Sequence, residues 1–375
     1  MEPMLRFKAD DGSDFPDWEE MTLGELFYIS AGGDIDKNNC AVKQSKDYPY
    51  PIYANALVNG GLYGYTNYYK IDGDTFTVTG RGDVGHAVAR HCKYVPIVRL
   101  LVCRPNMDDD VDFFAEQINY TRIFTESTGV PQLTAPQLSK TKVKRPSLPE
   151  QRKIADLLSA IDDVIAAQEA EVAAWEKRKK GVMQKLFSQE VRFKADDGSD
   201  FPDWEEKTLG DICMYERQRS EGANFVGTEN MLKDFGGVTF DNSNADDSGT
   251  LYHPGDTLMS NIRPYLKKAW LADRKGTCST DVLVFHPTSV EPGYLYWLIA
   301  SDAFVRYVMS AAKGSKMPRG DKKHIMEMPL LLPNKDEQRK IDDCLSSLND
   351  VIIKAKNELA KWQELKKGLL QQMFV

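Results

Sequence analysis

RFKADDGSDFPDWEE runs from Arg6 to Glu20 and recurs, letter for letter, from Arg192 to Glu206. A second, looser repeat follows at nearly the same spacing. EQRKI at Glu150–Ile154 returns at Glu337–Ile341, and from there to Phe187 and Phe374 the segments agree at 19 of 38 positions. The matches include Trp175 with Trp362 and Lys179-Lys180-Gly181 with Lys366-Lys367-Gly368. Between the paired segments lie two blocks of over a hundred residues that barely resemble each other. The order is tag, variable block, conserved segment, twice over. Such a chain holds two different readers on one repeated frame.

The conserved segments read as helices. After Pro149 there is no proline until Pro202. Spacings of four and three alternate through Ile154, Leu158, Ile161 and Ile165, then Gln168, Val172, Trp175, Lys179, Val182 and Leu186. The second copy runs Ile341, Leu345, Leu348, Ile352, Ala355, Leu359, Trp362, Lys366, Leu369 and Met373. This 3.5-residue repeat predicts two amphipathic helices of about 38 residues, each roughly 57 Å long. A single apolar seam needs a partner. The economical partner is the other helix, antiparallel; the alternative is that each helix packs on its own block. Gln168 and Lys179 interrupt the seam. Helix two ends where tag one could begin, so the termini are expected to lie close together. Antiparallel helices would place the blocks at opposite ends of a rod with a pseudo-twofold axis.

The blocks read as diverged copies of one α+β fold. Residues 63–91 alternate aromatic and β-branched residues with Gly-rich turns. Residues 252–270 and 279–287 run similarly, with Gly73-Asp74-Thr75 and Gly255-Asp256-Thr257 in matching turns. VDFFAEQINYTRI and EPGYLYWLIASDAFVRYVM look helical. Each precedes a polar, small-residue loop, at 126–134 and at 312–321.

Composition is that of an ordinary soluble protein, with 42% apolar and 28% charged residues. No apolar run approaches a membrane span, and six scattered cysteines without a CxxC pair fit a reduced, cytoplasmic setting. Net charge is −8, but the two acidic tags hold more than all of it. Basic residues cluster at Lys140–Arg145, at Arg263–Lys275 and at Lys313–Lys323. Each cluster alone could be a solvated face. GRGDVG at 80–85 matches a dinucleotide-binding string, yet lacks the helix opening and later acidic partner, so it reads as a β-turn. There is no Walker A string, no GxSxG elbow, no metal-ligand spacing among the five histidines and no Pro-Pro pair for a base-flipping adenine methyltransferase. The chain reads as non-catalytic, with no cofactor and no metal.

At this point the residues carry a resemblance. The PxLPEQRKI…DDVI…W…KKG segment and its second copy resemble the conserved regions of type I restriction–modification specificity subunits. So do the LGEL and LGDI strings after DWEE, the GDTLMSNIRPYLKKAW and GTCSTDVLVFHP strings and the STGVPQLT-type loop. The likeness covers essentially the whole chain. It implies two target-recognition domains, each reading half of a split double-stranded DNA site. It also implies two docked methyltransferase subunits and a restriction–translocase subunit. The expected division is a first recognition domain with its tag at 1–147, a central helix at 148–190, a second domain with tag at 191–333 and a terminal helix at 334–375. Base edges are read by arginine, asparagine and glutamine, while lysines set register on phosphates. The expected DNA contacts are Arg81, His86, Arg90, Gln132 and Gln137 in block one. In block two they are Asn261, Arg263, Lys267, Lys268, Lys316, Arg319 and Lys323. The frame tryptophans Trp18, Trp204, Trp175 and Trp362 are the expected subunit contacts. Two other classes stay open, a stand-alone bivalent DNA-binding regulator and a coiled-coil scaffold for proteins.

Overall fold

The computed structural model describes residues 3–121, 132–222, 224–240 and 248–374. It divides into two compact units, Met1–Ala170 with Asn357–Val375, and Glu171–Lys356. The heptad pattern is realised as two helices, Leu148–Phe187 and Lys335–Met373, of 40 and 39 residues. Each contributes part of its length to both units.

Both partners foreseen for the apolar seam are used at once. In the first unit Ile154, Leu158 and Met373 join one core with Leu23, Phe113 and Phe114 of block one. Lys366 Nζ donates to Asp162 at 2.8 Å, and Gln363 faces Glu169. In the second unit Met183 and Leu186 share a core with Ile341, Leu345, Tyr294 and Phe285. There Lys179 donates to Asn349 at 2.9 Å and Lys356 pairs with Glu176 at 2.6 Å. In each unit, later residues of one helix meet earlier residues of the other, so the segments run antiparallel.

The tag is a small folded element, built the same way twice. Lys8 bridges Asp14, Asp11 caps Ser13, and Gly12 takes φ +85 in the turn. Lys194, Asp200, Asp197, Ser199 and Gly198 repeat every contact. The tag then docks on the EQRKI motif. Glu150, fully buried, accepts from Arg6 (2.9 Å) and the Trp18 indole (3.1 Å). Glu337 does so from Arg192 (2.8 Å) and Trp204 (2.9 Å). Next to each glutamate, buried Gln151 and Gln338 bond Pro146 and Pro333 carbonyls. Lys153 and Lys340 reach Asp10 and Asp196. The Leu5 amide donates to the Gln372 carbonyl at 3.1 Å, so the chain ends meet as expected.

The blocks share the strand order of their main sheet. Block one has a four-stranded antiparallel sheet in the order Phe27–Ala31, Leu101–Pro105, Thr75–Val78, Ala87–Arg90. Block two orders Cys213–Tyr215, Val282–Pro287, Thr257–Ser260 and Ala269–Leu271 identically. Each block adds a three-stranded sheet, built differently: central Tyr50–Tyr53 pairs parallel with Val95–Pro96 in block one, whereas central Gly249–Tyr252 has two antiparallel neighbours in block two. Gly73 and Gly255 both hold φ near +90 ahead of the matching strands, as the Gly-Asp-Thr pairing implied. The helices Val111–Thr121, Pro292–Ile299 and Asp302–Ser310 fall where expected. Each block also enters and leaves through one ribbon. Glu19–Thr22 pairs antiparallel with Lys142–Arg145, and Glu205–Thr208 with Pro329–Leu332.

Candidate nucleic-acid interface

In block one, the strands Thr75–Val78 and Ala87–Arg90 are joined by a tight loop carrying the GRGDVG string. Thr79 and His86 close it by a 2.9 Å backbone bond, and Gly85 donates to the Thr79 carbonyl. This is the β-turn the sequence suggested. The helix Val111–Thr121 steadies it, because the Asn119 amide both accepts from the Ala87 N–H and donates to its carbonyl. The loop then meets the segment before the short helix Ala135–Leu138. The Leu133 amide donates to Gly80, and Arg81 bridges Gln132. Gly80 is required there, since a Cβ would lie 2.9 Å from the Leu133 carbonyl and 3.2 Å from that of Arg99. A third segment, Val98–Arg99, thus closes on the same apex. Both residues are exposed and left-handed, at φ +53 and +61. For β-branched Val98 this is strained backbone. Bonds to Gly33 and Gly32, and from the Asn55 amide to the Val98 carbonyl, hold it.

Block two builds the same apex from other residues. The Arg263 amide donates to the Pro318 carbonyl at 2.8 Å, Ile262 bridges Arg319, and the Asn261 amide donates to the Asp281 carbonyl at 2.7 Å. Lys313 and Arg319 exchange two 2.9 Å backbone bonds, making 313–319 a closed turn. Arg319 meets Asp281 through Nε (3.1 Å) and Nη2 (3.4 Å). Lys313 pairs with Asp321, whose carboxyl is pulled down to about 2 by that bond and by the amides of the helix it caps. In both blocks, then, three loops converge at one end of the four-stranded sheet and present polar and cationic side chains.

The expected contacts separate accordingly. Arg81 and Gln132 stand at the first apex; Arg263, Lys316 and Arg319 stand exposed at the second, with Lys323 on the adjoining helix. His86 is half-buried in its loop, and burial pushes its pKa down. Others are spent inside the fold. Arg90 is 8% exposed, stacks 3.7 Å over the Tyr53 ring and bonds Thr77 and the Gly60 carbonyl. The Gln137 carbonyl caps its helix by accepting from Thr134. Lys267 pairs with Asp302 and Lys268 donates to the Thr228 carbonyl. Asn261 is buried in the floor of the second apex, its Oδ1 without a partner among the described residues. Trp18 and Trp204 are docked on their glutamates, whereas Trp175 and Trp362 are partly exposed along the helices. Of the basic clusters, Lys140–Arg145 dissolves into the ribbon, with Lys142 on Glu20 and Arg145 on buried Asp109. Residues 126–131, including Pro131, lie outside the described residues. Arg99 and Asp281 were missed, because nothing in a Val-Arg or Thr-Asp pair signals a left-handed turn or an apex. Among the described residues no cluster suits a metal ion, and no helix is long and apolar enough to cross a membrane.

A family model described as a type I restriction modification DNA specificity domain matches twice, over residues 16–174 and 202–362. The MjaVIII specificity subunit, a type I restriction enzyme subunit of Methanocaldococcus jannaschii, is 22% identical over 303 residues, or 72% of this chain and 70% of that one. A Mycoplasma pneumoniae protein named as a type I specificity subunit is 29% identical over 119 residues, covering 32% of this chain but only 33% of its own length. Among solved structures, the type I restriction–modification S subunit of M. genitalium superposes with a TM-score of 0.67 at 15% identity, covering 100% of this chain and 99% of that one. A chain from a study of type I R-M complex assembly gives 0.53 at 17% identity, covering 96% and 98%. At such identity these two likenesses speak for the fold.

Proposed function

Because this chain belongs to the type I restriction modification DNA specificity domain family, we propose that it is the specificity subunit of such a complex, each block reading one half of a bipartite site in double-stranded DNA. One observation carries this reading. Two blocks with little common sequence fold to the same sheet order and bring the same three loops to one apex, yet the side chains at the two apices differ. A shared scaffold with different polar residues at one place is what reading two unrelated short sequences requires.

The division of labour follows. The apex loops face base edges, lysines such as Lys316 and Lys323 meet phosphates, and the acidic tags stay away from the duplex. The paired helices set the spacing of the half-sites. Their solvent faces, with Trp175 and Trp362, are docking ground for two methyltransferase subunits, and the restriction–translocase subunit joins that assembly. The chain contributes recognition while those partners contribute chemistry, and it works in the cytoplasm beside the DNA. The domain division at 147, 190 and 333 is retained as a guide to exchangeable parts.

The test is base-resolution methylation mapping of genomic DNA from a host carrying the methyltransferase subunit, with and without this chain. Methylation confined to one split motif and dependent on the chain is expected. Operator-like binding with no change in methylation would favour the regulator. Absence of DNA affinity in the assembled complex would favour the scaffold.

A further inference from the structure

We propose that residue 132 of block one and residue 319 of block two are a single reading position. Arg319 there specifies a G·C pair in one half-site, and Gln132 specifies an A·T pair in the other. This rests on the reading of both blocks as DNA readers and assigns, within it, the residues that choose a base.

Three observations place the two residues in equivalent seats. They are 187 positions apart, the spacing that also relates the long helices. Each stands just before a short helix, Ala135–Leu138 or Lys322–Met326. Each bridges the loop that joins the last two strands of its four-stranded sheet, Gln132 with Arg81 and Arg319 with Ile262. The backbone is fixed in both: by the Leu133–Gly80 bond in one, and by the paired Lys313–Arg319 bonds in the other. The seat is constant and the side chain is not.

The chemistry of each side chain then selects a base. Asp281 takes the Nε and Nη2 side of the Arg319 guanidinium. The end-on Nη1–Nη2 edge is left for two acceptors side by side, which in the major groove is O6 and N7 of guanine. Asp281 is thus a positioning residue for Arg319. At the other apex Arg81 Nη2 donates to the Gln132 carbonyl at 3.4 Å. That fixes which end of the amide is oxygen, and an oriented amide presents one acceptor and one donor, the complement of adenine N6 and N7.

The test uses the full chain coexpressed with its methyltransferase subunit, with genomic methylation mapped for wild type, R319A, R319K, R319Q, D281N and Q132R. R319A is expected to accept all four bases at one position of one half-site, losing discrimination of on the order of ten- to a hundredfold, and R319K to keep a weaker preference for G·C there. R319Q should shift that position from G·C towards A·T. Q132R should alter one position in the other half alone, and D281N should weaken discrimination at the Arg319 position only. Methylation reduced evenly at an unchanged motif in R319A and R319K would make Arg319 a phosphate or structural residue and overturn the proposal. An unchanged motif at full occupancy in R319A would also overturn it. If the wild-type chain itself directs no split-site methylation, the broader functional reading fails first, and the proposal with it. Thermal unfolding of each variant guards against loss of fold, and R319K keeps the charge should R319A prove unstable.

Discussion

Glu150 and Glu337 show how much a single residue can decide and how little of that is legible in a linear chain. Their recurrence is obvious in EQRKI, but their partners, Arg6 with Trp18 and Arg192 with Trp204, lie more than 130 residues away. A fully buried carboxylate must be paired, so removing either partner strands the other. E337A should destabilise the protein by about 3 kcal/mol, as loss of one member of a buried pair does. R192A should cost a similar amount, and the two together much less than their sum. Chemical denaturation of the double-mutant cycle checks this, and strict additivity would show that Arg192 and Glu337 do not act as a pair. The same lesson applies at the reading apices. Short polar loops after strands drew the eye to Arg81, Gln132, Arg263 and Arg319, and the structure brings these four to the two apices. Residue type could not separate them from Arg90 or Gln137, whose partners Tyr53, Thr77 and Thr134 are found only once the chain is folded.

At the scale of the element, the helices were readable because a 3.5-residue period over five turns or more has no other explanation. The tag was not, since a hairpin held by Asp11, Ser13 and a left-handed Gly12 carries no period. Its residues are tied by specific bonds, Asp11 within the tag and Arg6, Asp10 and Trp18 to the helix beneath it. The polar interruption of the seam also has a structural sense. Lys366 meets two carboxylates, Asp162 and Glu116. Lys179, its counterpart, meets the amide of Asn349, and burial holds its ammonium below the ordinary lysine value. The unfolded chain therefore binds that proton more tightly, and the cost is present at neutral pH and disappears as pH rises past the unfolded lysine value of about 10.4. N349D restores the carboxylate of the first copy. It should raise stability by about 1 kcal/mol at neutral pH, with the gain fading at alkaline pH as Lys179 loses its proton. Thermal unfolding of both proteins across that range measures it. A gain that persists unchanged above the lysine range would not come from Lys179.

For the whole molecule, the duplicated order of parts was the most informative feature, and the structure gives it a physical basis. Each block enters and leaves through a two-stranded ribbon with the same register, Thr22 opposite Lys142 and Thr208 opposite Pro329. Ends held side by side let one block be replaced without disturbing the frame that receives it. Charge counting alone argued against nucleic acid, because it averaged acidic tags with cationic apices. What separates them is the fold, which gathers Arg263, Lys316 and Arg319 at one sheet end while tying Lys142 and Arg145 into a ribbon. The most direct measurement exchanges residues 217–333 for the second block of another family member, keeping the tag, the entering ribbon strand Glu205–Thr208 and the helices, and maps methylation in the host. One half of the split motif should change to that of the donor, while the other half and the spacer stay as they were. A change in both halves, or in neither, would contradict the assignment of one block to one half-site.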